Sequence, residues 1–405
     1  MFRGFRCIQT MALFAVCLLA GFGTPATAVA QSSSTTAKTV YQMADGIVRP
    51  SHNKGAEEAY LPIDANSNHA NNLLALPNGD LLCFWFAGTW EGQSNVSIAM
   101  ARLNKGSRQW SEPVILSTHA HRSDQNPVPF LAPDGRIWLF HTSQGAGKGQ
   151  TTSVVYQQTS DDQGHTWSEA QEIFSEPGSY VRQPLVLDHG EWLFPTYRSA
   201  SAGILGNAEN DISIVKISKD EGKTWSDCEV PDSGGLVQMN IIKLADDNLI
   251  AFFRSRYADW IYRSASTDGC HWSAPVATQL PNNNASIQSI KLQDGHLVMT
   301  FNNSQATTTR DKPRTAGRDI LSIALSEDGG KTWPWVRDLQ PGVEPPAINS
   351  AEDVEYAYPS VIQAANGKIQ TGFTFRRETI KYMTFTESWI KQGTTNGLFK
   401  GDPKP

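Results

Sequence analysis

The stretch SEDGGKTW, residues 326–333, recurs along this chain and decides its fold. Near copies stand upstream as SDDQGHTW from Ser160, SKDEGKTW from Ser218 and the shortened STDGCHW from Ser266. In such a turn the aspartate can accept hydrogen bonds from backbone N–H groups, and the glycine takes a positive φ. The tryptophan is expected to fill the gap between strands three and four of each repeat. The four copies therefore indicate one repeated structural unit, whose turn residues are structural.

Six β-hairpins accompany these turns, because apolar runs break at Asn-Gly, Asp-Gly or an equivalent polar pair and then resume. They are NLLALPNGDLLCFWF (72–86), PVPFLAPDGRIWLFH (127–141), PLVLDHGEWLFPTY (184–197), NIIKLADDNLIAFFR (240–254), SIQSIKLQDGHLVMTF (286–301) and SVIQAANGKIQTGFTF (360–375). A third apolar strand, the tryptophan turn and a short fourth strand follow most of them. Four antiparallel strands in each of six units predict an all-β fold, a six-bladed β-propeller.

The two ends of the chain are expected to meet in the last blade. The segment TVYQMADGIV, residues 39–48, is predicted to supply the outer strand of that blade. Closing the ring in this way removes the free sheet edges that would otherwise pair with other chains. A single propeller domain is therefore expected over residues 31–405.

The first thirty residues have the pattern of a secretory signal peptide. Arg3 and Arg6 precede the apolar run MALFAVCLLAGFG (11–23), and Ala28-Val29-Ala30 has the small-x-small cleavage pattern. The apolar run is too short to span a bilayer as a helix. We therefore expect cleavage near Gln31, a secreted or periplasmic protein and no membrane insertion.

The charge and cysteine content narrow the possible ligands. The chain carries 34 Lys+Arg against 40 Asp+Glu, a net charge of −6, which does not favour nucleic acid or an anionic membrane. Beyond the leader, Cys83, Cys228 and Cys270 are an odd number, so no disulfide framework can be read from them. No closely spaced Cys and His pattern suggests a zinc site. We expect a monomer without metal or cofactor.

Polar side chains should gather at one mouth of the propeller, where the innermost strands of the blades end. Blade by blade the expected residues are His69 and Glu91, Asn126 and His141, Arg182 and Arg198, Gln238 and Arg254, Asn302 and Arg318, and finally Tyr358, Arg376 and Arg377. The arginines contrast with the acidic chain as a whole, and arginine binds a carboxylate through two parallel hydrogen bonds. This pattern favours an anionic ligand such as a carboxylated sugar.

The turn S-x-D-x-G-x-T-W resembles the Asp-box of the sialidase (neuraminidase) superfamily, and the resemblance extends over nearly all of the chain beyond the leader. The details HANN (69–72), WFAGTWEG (85–92), QNPV (125–128) and YPSVIQ (358–363) look most like a bacterial subgroup of predicted neuraminidases. The resemblance implies three arginines that hold a sugar carboxylate, a tyrosine nucleophile polarised by a glutamate, and an aspartate acid/base. Arg254, Arg318 and Tyr358 stand at matching positions.

Three positions depart from the family pattern. The arginine expected at the first hairpin is absent, and His69 lies in its neighbourhood. Gln238 stands where the glutamate would be, and an amide can hydrogen-bond the phenol but cannot take its proton. Glu91 is close to the place of the missing aspartate.

Three functional interpretations follow. In the first, the protein is an exo-acting glycosidase for a terminal acidic sugar. Arg254 and Arg318 hold the carboxylate, Tyr358 attacks the anomeric carbon and Glu91 transfers the proton. Asn126, Arg182 and Arg377 complete the expected binding residues.

The second interpretation is a polysaccharide lyase similar to ulvan-degrading lyases, which would remove the proton α to a uronate carboxylate. The side chains that could serve it are His69, His121, His141, Tyr197 and Arg182. The third is a sugar-binding propeller without catalysis, which the glutamine at position 238 favours.

Overall fold

The strands of this computed structural model form six antiparallel sheets arranged around a central axis. The described residues are 43–117, 119–200, 208–244, 248–342 and 354–403. This architecture confirms the predicted six-bladed propeller. The signal peptide predicted at residues 1–30 lies outside the described residues.

Blades 1 to 3 each consist of one sheet, whose first strand lies nearest the axis and whose last strand lies outermost. Two short strands precede blade 1 in the chain. These two are β1 (Arg49–Pro50) and β2 (Glu57–Tyr60). Blade 1 consists of β3 (Ser67–Ala75), β4 (Leu81–Gly88), β5 (Ser97–Leu103) and β6 (Val114–Ile115). Blade 2 consists of β7 (Arg122–Leu131), β8 (Ile137–Gly145), β9 (Val154–Ser160) and β10 (Gln171–Phe174). In blade 3 the innermost strand is split, and the strands are β11 (Ser179–Val181), β12 (Leu185–Val186), β13 (Trp192–Arg198), β14 (Ile212–Ser218) and β15 (Ser226–Glu229).

Blades 4 to 6 complete the ring. Blade 4 consists of β16 (Leu236–Lys243), β17 (Leu249–Ser255), β18 (Trp260–Ser266) and β19 (Val276–Pro281). Blade 5 consists of β20 (Gln288–Lys291), β21 (Leu297–Asn302), β22 (Ile320–Ser326) and β23 (Trp335–Pro341). Blade 6 contains β24 (Tyr356–Gln363), β25 (Ile369–Phe375) and β26 (Thr379–Phe385).

A strand from the beginning of the domain closes blade 6, but it is not the predicted one. β2 pairs antiparallel with β26, from Glu57 opposite Thr384 to Tyr60 opposite Lys381, and β1 adds a short outer edge. Residues 39–42 of the predicted segment lie outside the described residues. Within its described part, residues 43–48, Ile47 forms an isolated bridge to Gln109 of blade 1 and none of the named strands is present. The prediction for residues 39–48 was therefore wrong about the segment, although the sheet is closed in the expected manner.

The helices in the described part of the chain are short. An α-helix, α1 (Glu387–Lys391), follows β26, and the hydroxyl of Thr386 caps it by accepting a hydrogen bond from the backbone N–H of Trp389. Two 3-10 turns cover Gln150–Thr152 and Ala208–Asn210. Among the described residues, no helix has the length and apolar character needed to cross a membrane.

The repeated turns have the predicted hydrogen bonding. In the turn that begins at Ser218, the carboxylate of Asp220 accepts hydrogen bonds from the backbone N–H of Thr224 at 2.8 Å and from its hydroxyl at 2.6 Å. These bonds lower the pKa of Asp220 to about 2. Gly222 takes φ 83°, and corresponding contacts recur at Asp162, Asp268 and Asp328. Their aspartates have a structural task, as expected.

The turn tryptophans pack between neighbouring blades. The sequence predicted only that they lie between strands three and four of their own blade. The Trp333 side chain of blade 5 is 1% exposed and lies edge-on to Phe252 of blade 4, with ring centroids 5.9 Å apart. Trp167 of blade 2 meets Phe84 of blade 1 in the same way at 5.8 Å. Each tryptophan therefore fastens its own blade to the preceding one.

A disulfide reinforces one of these interfaces. Cys228 on β15 of blade 3 is bonded to Cys270 in the repeated turn of blade 4, and Cys83 stays free and buried. The sequence did not allow this pairing to be read, because three cysteines permit three pairings. The structure brings together two residues that are 42 positions apart.

Replacing the inter-blade tryptophan tests the packing role of the repeat. Trp333→Ala should lower the free energy of unfolding by about 3–5 kcal/mol, because it removes a buried aromatic side chain and leaves a cavity. Trp333→Phe should cost less. Chemical denaturation of the purified variants measures both effects, with Trp90→Ala as the control because that side chain is 50% exposed. Equal losses for Trp333→Ala and Trp90→Ala would contradict the packing role.

Candidate functional site

Interruptions of the innermost strands place one residue from each blade near the axis. The pairing register shifts in β3, β7, β16 and β24, as in β-bulges. In blade 5 the corresponding residue precedes β20, and in blade 3 it lies in the gap between β11 and β12. The six residues are Ala70, Asn126, Arg182, Gln238, Asn284 and Tyr358, and all but Arg182 have a positive φ. Ala70, Asn126, Arg182 and Tyr358 line one narrow cavity.

The guanidinium of Arg254 connects three of these residues. Its Nη1 donates a hydrogen bond to Tyr358 Oη at 2.7 Å and lies 3.3 Å from Gln238 Oε1. Its Nε donates to Asn284 Oδ1 at 2.9 Å. Arg254 is buried, so these contacts fix the group directly beside the phenol. Gln238 thus acts on Arg254, whereas the sequence suggested a direct bond to the phenol.

The surroundings of Tyr358 favour its ionised form. Burial raises the pKa of the phenol, but the positive charges of Arg254 and Arg318 outweigh this effect. The net result is a pKa below the usual range of a tyrosine. The Cζ atom of Arg318 lies 5.5 Å from the centre of the Tyr358 ring. Two cations, Arg254 and Arg318, are therefore the charged groups that lower the pKa of the phenol.

Glu355 is a central residue that the sequence reasoning missed. Its carboxylate accepts hydrogen bonds from Arg318 Nη1 and, at 2.7 Å, from Arg377 Nε. Burial raises the pKa of this carboxyl, but Arg377 and Arg318 lower it far more, so it lies well below its usual range. Glu355 is thus an internal counter-ion for two arginines. Its position three residues before Tyr358 was the only signal in the sequence.

The loop after β4 contributes an acid and an aromatic ring. Arg377 Nη1 donates a hydrogen bond to Glu91 Oε2 at 2.7 Å. The neighbouring Trp90 side chain is exposed, and Arg377 Cζ lies 5.5 Å from the centre of its ring. Arg377 therefore joins Glu91 to the Arg318–Glu355 pair, and Trp90 is a further residue that the sequence analysis missed.

His69 lies beneath the tyrosine as a packed, neutral side chain. Its ring centre is 4.4 Å from that of Tyr358, and its Nδ1 lies 2.8 Å from Thr374 Oγ1. Burial lowers the pKa of His69 well below the usual range, and the charge of Arg377 lowers it further. His69 therefore supports the phenol from below and does not add a charge.

Three other predicted mouth residues lie elsewhere. His141 is buried between blades 1 and 2 beside His119, and burial lowers the pKa of His141 to about 4. Arg198 forms surface ion pairs with Glu176 and Glu229. Asn302 donates hydrogen bonds to backbone carbonyls and is structural. The remaining prediction, Arg376, lies against the ring of Phe375 with its Cζ 5.3 Å from the centre.

Residues 79–371 match the family described as BNR repeat-like domain. The chain belongs to this family, within the sialidase superfamily. A sialidase of Micromonospora viridifaciens is 27% identical over 307 residues, which are 67% of this chain and 46% of that protein. This sialidase-superfamily chain thus spans about half the length of that curated relative.

Two solved structures show the same fold. A leech intramolecular trans-sialidase, solved with 2,7-anhydro-Neu5Ac, superimposes with a TM-score of 0.65 at 15% identity, covering 81% of this chain and 69% of the leech chain. A Dyadobacter fermentans protein of unknown function does so with a TM-score of 0.64 at 14% identity, covering 82% of this chain and 98% of the other. At these identities the likeness establishes the propeller and not the chemistry.

Glu355→Gln tests the role of the internal counter-ion. The Glu355 side chain is 13% exposed, and removing one partner of a buried ion pair costs about 3–5 kcal/mol of stability. Because the pKa of Glu355 is lower in the folded than in the unfolded state, its contribution is complete at neutral pH. It is lost as pH falls below about 4.3, the usual glutamate pKa, towards the folded-state pKa.

The unfolding free energy of the wild type should therefore fall more steeply with acid than that of Glu355→Gln. Urea denaturation at several pH values between neutral and acid measures the difference. Glu176→Gln, which removes a surface ion pair, is the matched control and should cost less than about 1 kcal/mol. Parallel pH curves for the wild type and Glu355→Gln would contradict the assignment.

Proposed function

We propose that this protein is an exo-acting glycosidase that hydrolyses a terminal carboxylated sugar from a glycan. The single observation that carries the proposal is the 2.7 Å contact between Arg254 Nη1 and Tyr358 Oη at the axis. This contact joins the Arg254 guanidinium, which can bind a substrate carboxylate, to the Tyr358 phenol, which can act as a nucleophile. Membership of the sialidase superfamily supports a glycan-active protein in general.

The charge balance of the mouth supports an acidic ligand. Four guanidinium groups and two carboxylates gather there, namely those of Arg182, Arg254, Arg318, Arg377, Glu91 and Glu355. Their sum is positive in a chain whose net charge is −6. When Tyr358 is ionised and Glu91 is protonated for its role as the acid, four guanidinium charges face one carboxylate and one phenolate, so the group keeps two positive charges. A substrate carboxylate would offset one of them, and arginine pairs with carboxylates strongly.

The reaction uses a tyrosine nucleophile. In the reactive state Tyr358 is ionised and Glu91 carries a proton. Tyr358 Oη attacks the anomeric carbon, the glycosidic C–O bond breaks, and Glu91 donates that proton to the leaving oxygen. Glu91 then takes a proton from water, which attacks the anomeric carbon and releases Tyr358, so that the configuration is retained. The substrate carboxylate would compete for Arg377 and so release Glu91 towards the glycosidic oxygen. Arg254 and Arg318 stabilise the phenolate before the attack and again when water releases Tyr358.

The alternative of β-elimination has less support in the geometry. His141 is buried between blades, and His121 is exposed near the start of β7. Burial raises the pKa of Tyr197 to about 12, and its ring stacks on Tyr180 in the interior. His69 lies beside Tyr358 and the arginines, but it is only 1% exposed and packs against the Tyr358 ring. No predicted lyase histidine is therefore both at the arginines and accessible to a polymer. Binding without turnover is the remaining alternative.

The location of the protein is part of the proposal. The Cys228–Cys270 disulfide supports a secreted or periplasmic protein, because disulfides persist in oxidising compartments. An exported glycosidase would meet glycans outside the cytoplasm.

Tyr358→Phe tests the mechanism. The variant keeps the ring and loses the nucleophile, so kcat on the best aryl glycoside of a carboxylated sugar should fall by at least about 10³-fold with KM little changed. A panel of aryl sialosides and uronides identifies that substrate, and released phenol measures turnover. Tyr382→Phe, which alters a buried tyrosine between blades 6 and 1, is the control.

Other outcomes of these assays would favour a different function. Unchanged turnover in Tyr358→Phe would exclude this nucleophile. A product that absorbs in the near ultraviolet, with no water added in its mass, would establish elimination. Glycan affinity without turnover in the wild type would establish a binding module.

Trp90→Ala tests whether the exposed ring contacts the sugar. A flat apolar surface beside Glu91 can pack against a sugar ring, and its loss should raise KM roughly tenfold while kcat changes little. Initial rates over a range of substrate concentrations separate the two constants. A fall in kcat with unchanged KM would show that Trp90 acts through the position of Glu91 and Arg377, not through binding.

A further inference from the structure

A second group of side chains with metal-binding donor atoms lies between blades 1 and 2. His119 stands in the loop between β6 and β7, Asp124 on β7 and His141 on β8. His119 Nδ1 is 2.8 Å from Asp124 Oδ2 and 3.0 Å from Oδ1. The centres of the two imidazole rings are 5.7 Å apart. Each residue can offer one donor atom, and these atoms lie within 4.8 Å of one another.

The unusual member of this group is His141. Its side chain is 0% exposed, and neither Nδ1 nor Nε2 has a hydrogen-bond partner in the described part of the protein. Buried polar atoms in proteins are almost always paired with protein, water or an ion. A neutral His141 imidazole has a free lone pair, and the Asp124 carboxylate beside it is buried. A ligand bound by both groups would satisfy them.

The donor set selects the chemistry of that ligand. Two imidazole nitrogens and one carboxylate oxygen suit zinc and the neighbouring divalent transition metals. Calcium and magnesium prefer sets made of oxygen alone. Three protein ligands leave at least one coordination position open, and the His119 side chain, 22% exposed, gives access from solvent.

We propose that His119, Asp124 and His141 form a binding site for one divalent transition-metal ion, with zinc as the best match. This metal site is separate from the candidate site around Arg254 and Tyr358. Its existence does not depend on the proposed glycosidase activity.

The surroundings hold these ligands in place. The backbone N–H of Asp124 donates to the Val96 carbonyl of blade 1, and β7 pairs with β8 with Asp124 opposite Ser143. The Tyr156 ring packs beside both histidines, with centroids 4.3 Å from His119 and 5.7 Å from His141.

Donor atoms around a tetrahedral zinc with bonds of about 2.0 Å are roughly 3.3 Å apart. The His119–Asp124 contact therefore has to widen by only about half an ångström. The bound ion would fasten the loop that enters blade 2 to the first hairpin of that blade.

Zinc titration of the purified protein tests the site. After removal of metal with EDTA and exchange into chelator-free buffer, isothermal titration with Zn²⁺ should show one ion bound per chain. His119→Ala should weaken the affinity at least tenfold, because one ligand in three is lost. This histidine is chosen because it is partly exposed, and circular dichroism checks that the variant is folded. If it does not fold, His119→Gln replaces it.

The chain supplies a matched control in Asp294, His296 and Glu387, a second group with donor atoms at similar spacing but nearer the surface. His296→Ala should leave zinc binding unchanged. Binding that is lost in His296→Ala and kept in the His119 variant would overturn the proposal, as would no binding by the wild type.

Two further measurements concern the chemistry. Co²⁺ in place of zinc should give the visible absorption bands of a site with nitrogen ligands, and these bands should be absent from the His119 variant. Calcium that binds as tightly as zinc would reject the transition-metal assignment.

Discussion

The candidate functional site of this propeller depends on the interrupted pairing of its innermost strands. In a regular strand, side chains alternate between two faces, and in a propeller each face is covered by a neighbouring blade. An extra residue breaks this alternation and turns one side chain out of the interface. Tyr358 obtains its position in this way, at φ 51°. Such a conformation costs a tyrosine about 1–3 kcal/mol, which the packing of the surrounding blades has to offset.

Electrostatics at the axis follow from the same geometry. Bringing Arg254, Arg318 and Arg377 together under partial burial would be unfavourable without a counter-charge. Glu355 supplies it by bridging two of the three, and the phenol of Tyr358 meets the third. A chain with an acidic total charge thereby maintains a small cationic centre, which is a property of residue placement and not of composition.

The fold could be predicted because its determinants are local. Each hairpin and each tryptophan turn is encoded within about a dozen residues, and the hydrogen bonds of Asp220 involve only its own turn. The closing strand could not be found in this way, because the four residues of β2 are too few to show a long apolar alternation. The pairing of Cys228 with Cys270 was equally hidden, since it depends on how two blades meet.

The site was predictable only in part, for a related reason. Arg254, Arg318 and Tyr358 were predicted to meet at one mouth from their positions relative to the hairpins and from the family resemblance, and the structure brings them together. His141 was expected at the mouth, but it shares the face of Ile137 and Leu139, which packs on blade 1. Glu355 was missed because its partners come from two other loops. A sequence can show where a strand lies. The direction of a side chain near a bulge can be inferred only when the pairing register of the two strands is known.

The pairing of Glu57 with Thr384 has a consequence for how the molecule assembles. A ribosome releases β1 and β2 before any blade exists, so the edge of β2 that pairs with β26 must remain without its native partner until the end of the domain has emerged. Joining these distant segments carries the entropic cost of a very long loop, and such contacts form slowly. The ring is therefore sealed last, and until then the nascent protein exposes an edge that is vulnerable to association with other chains.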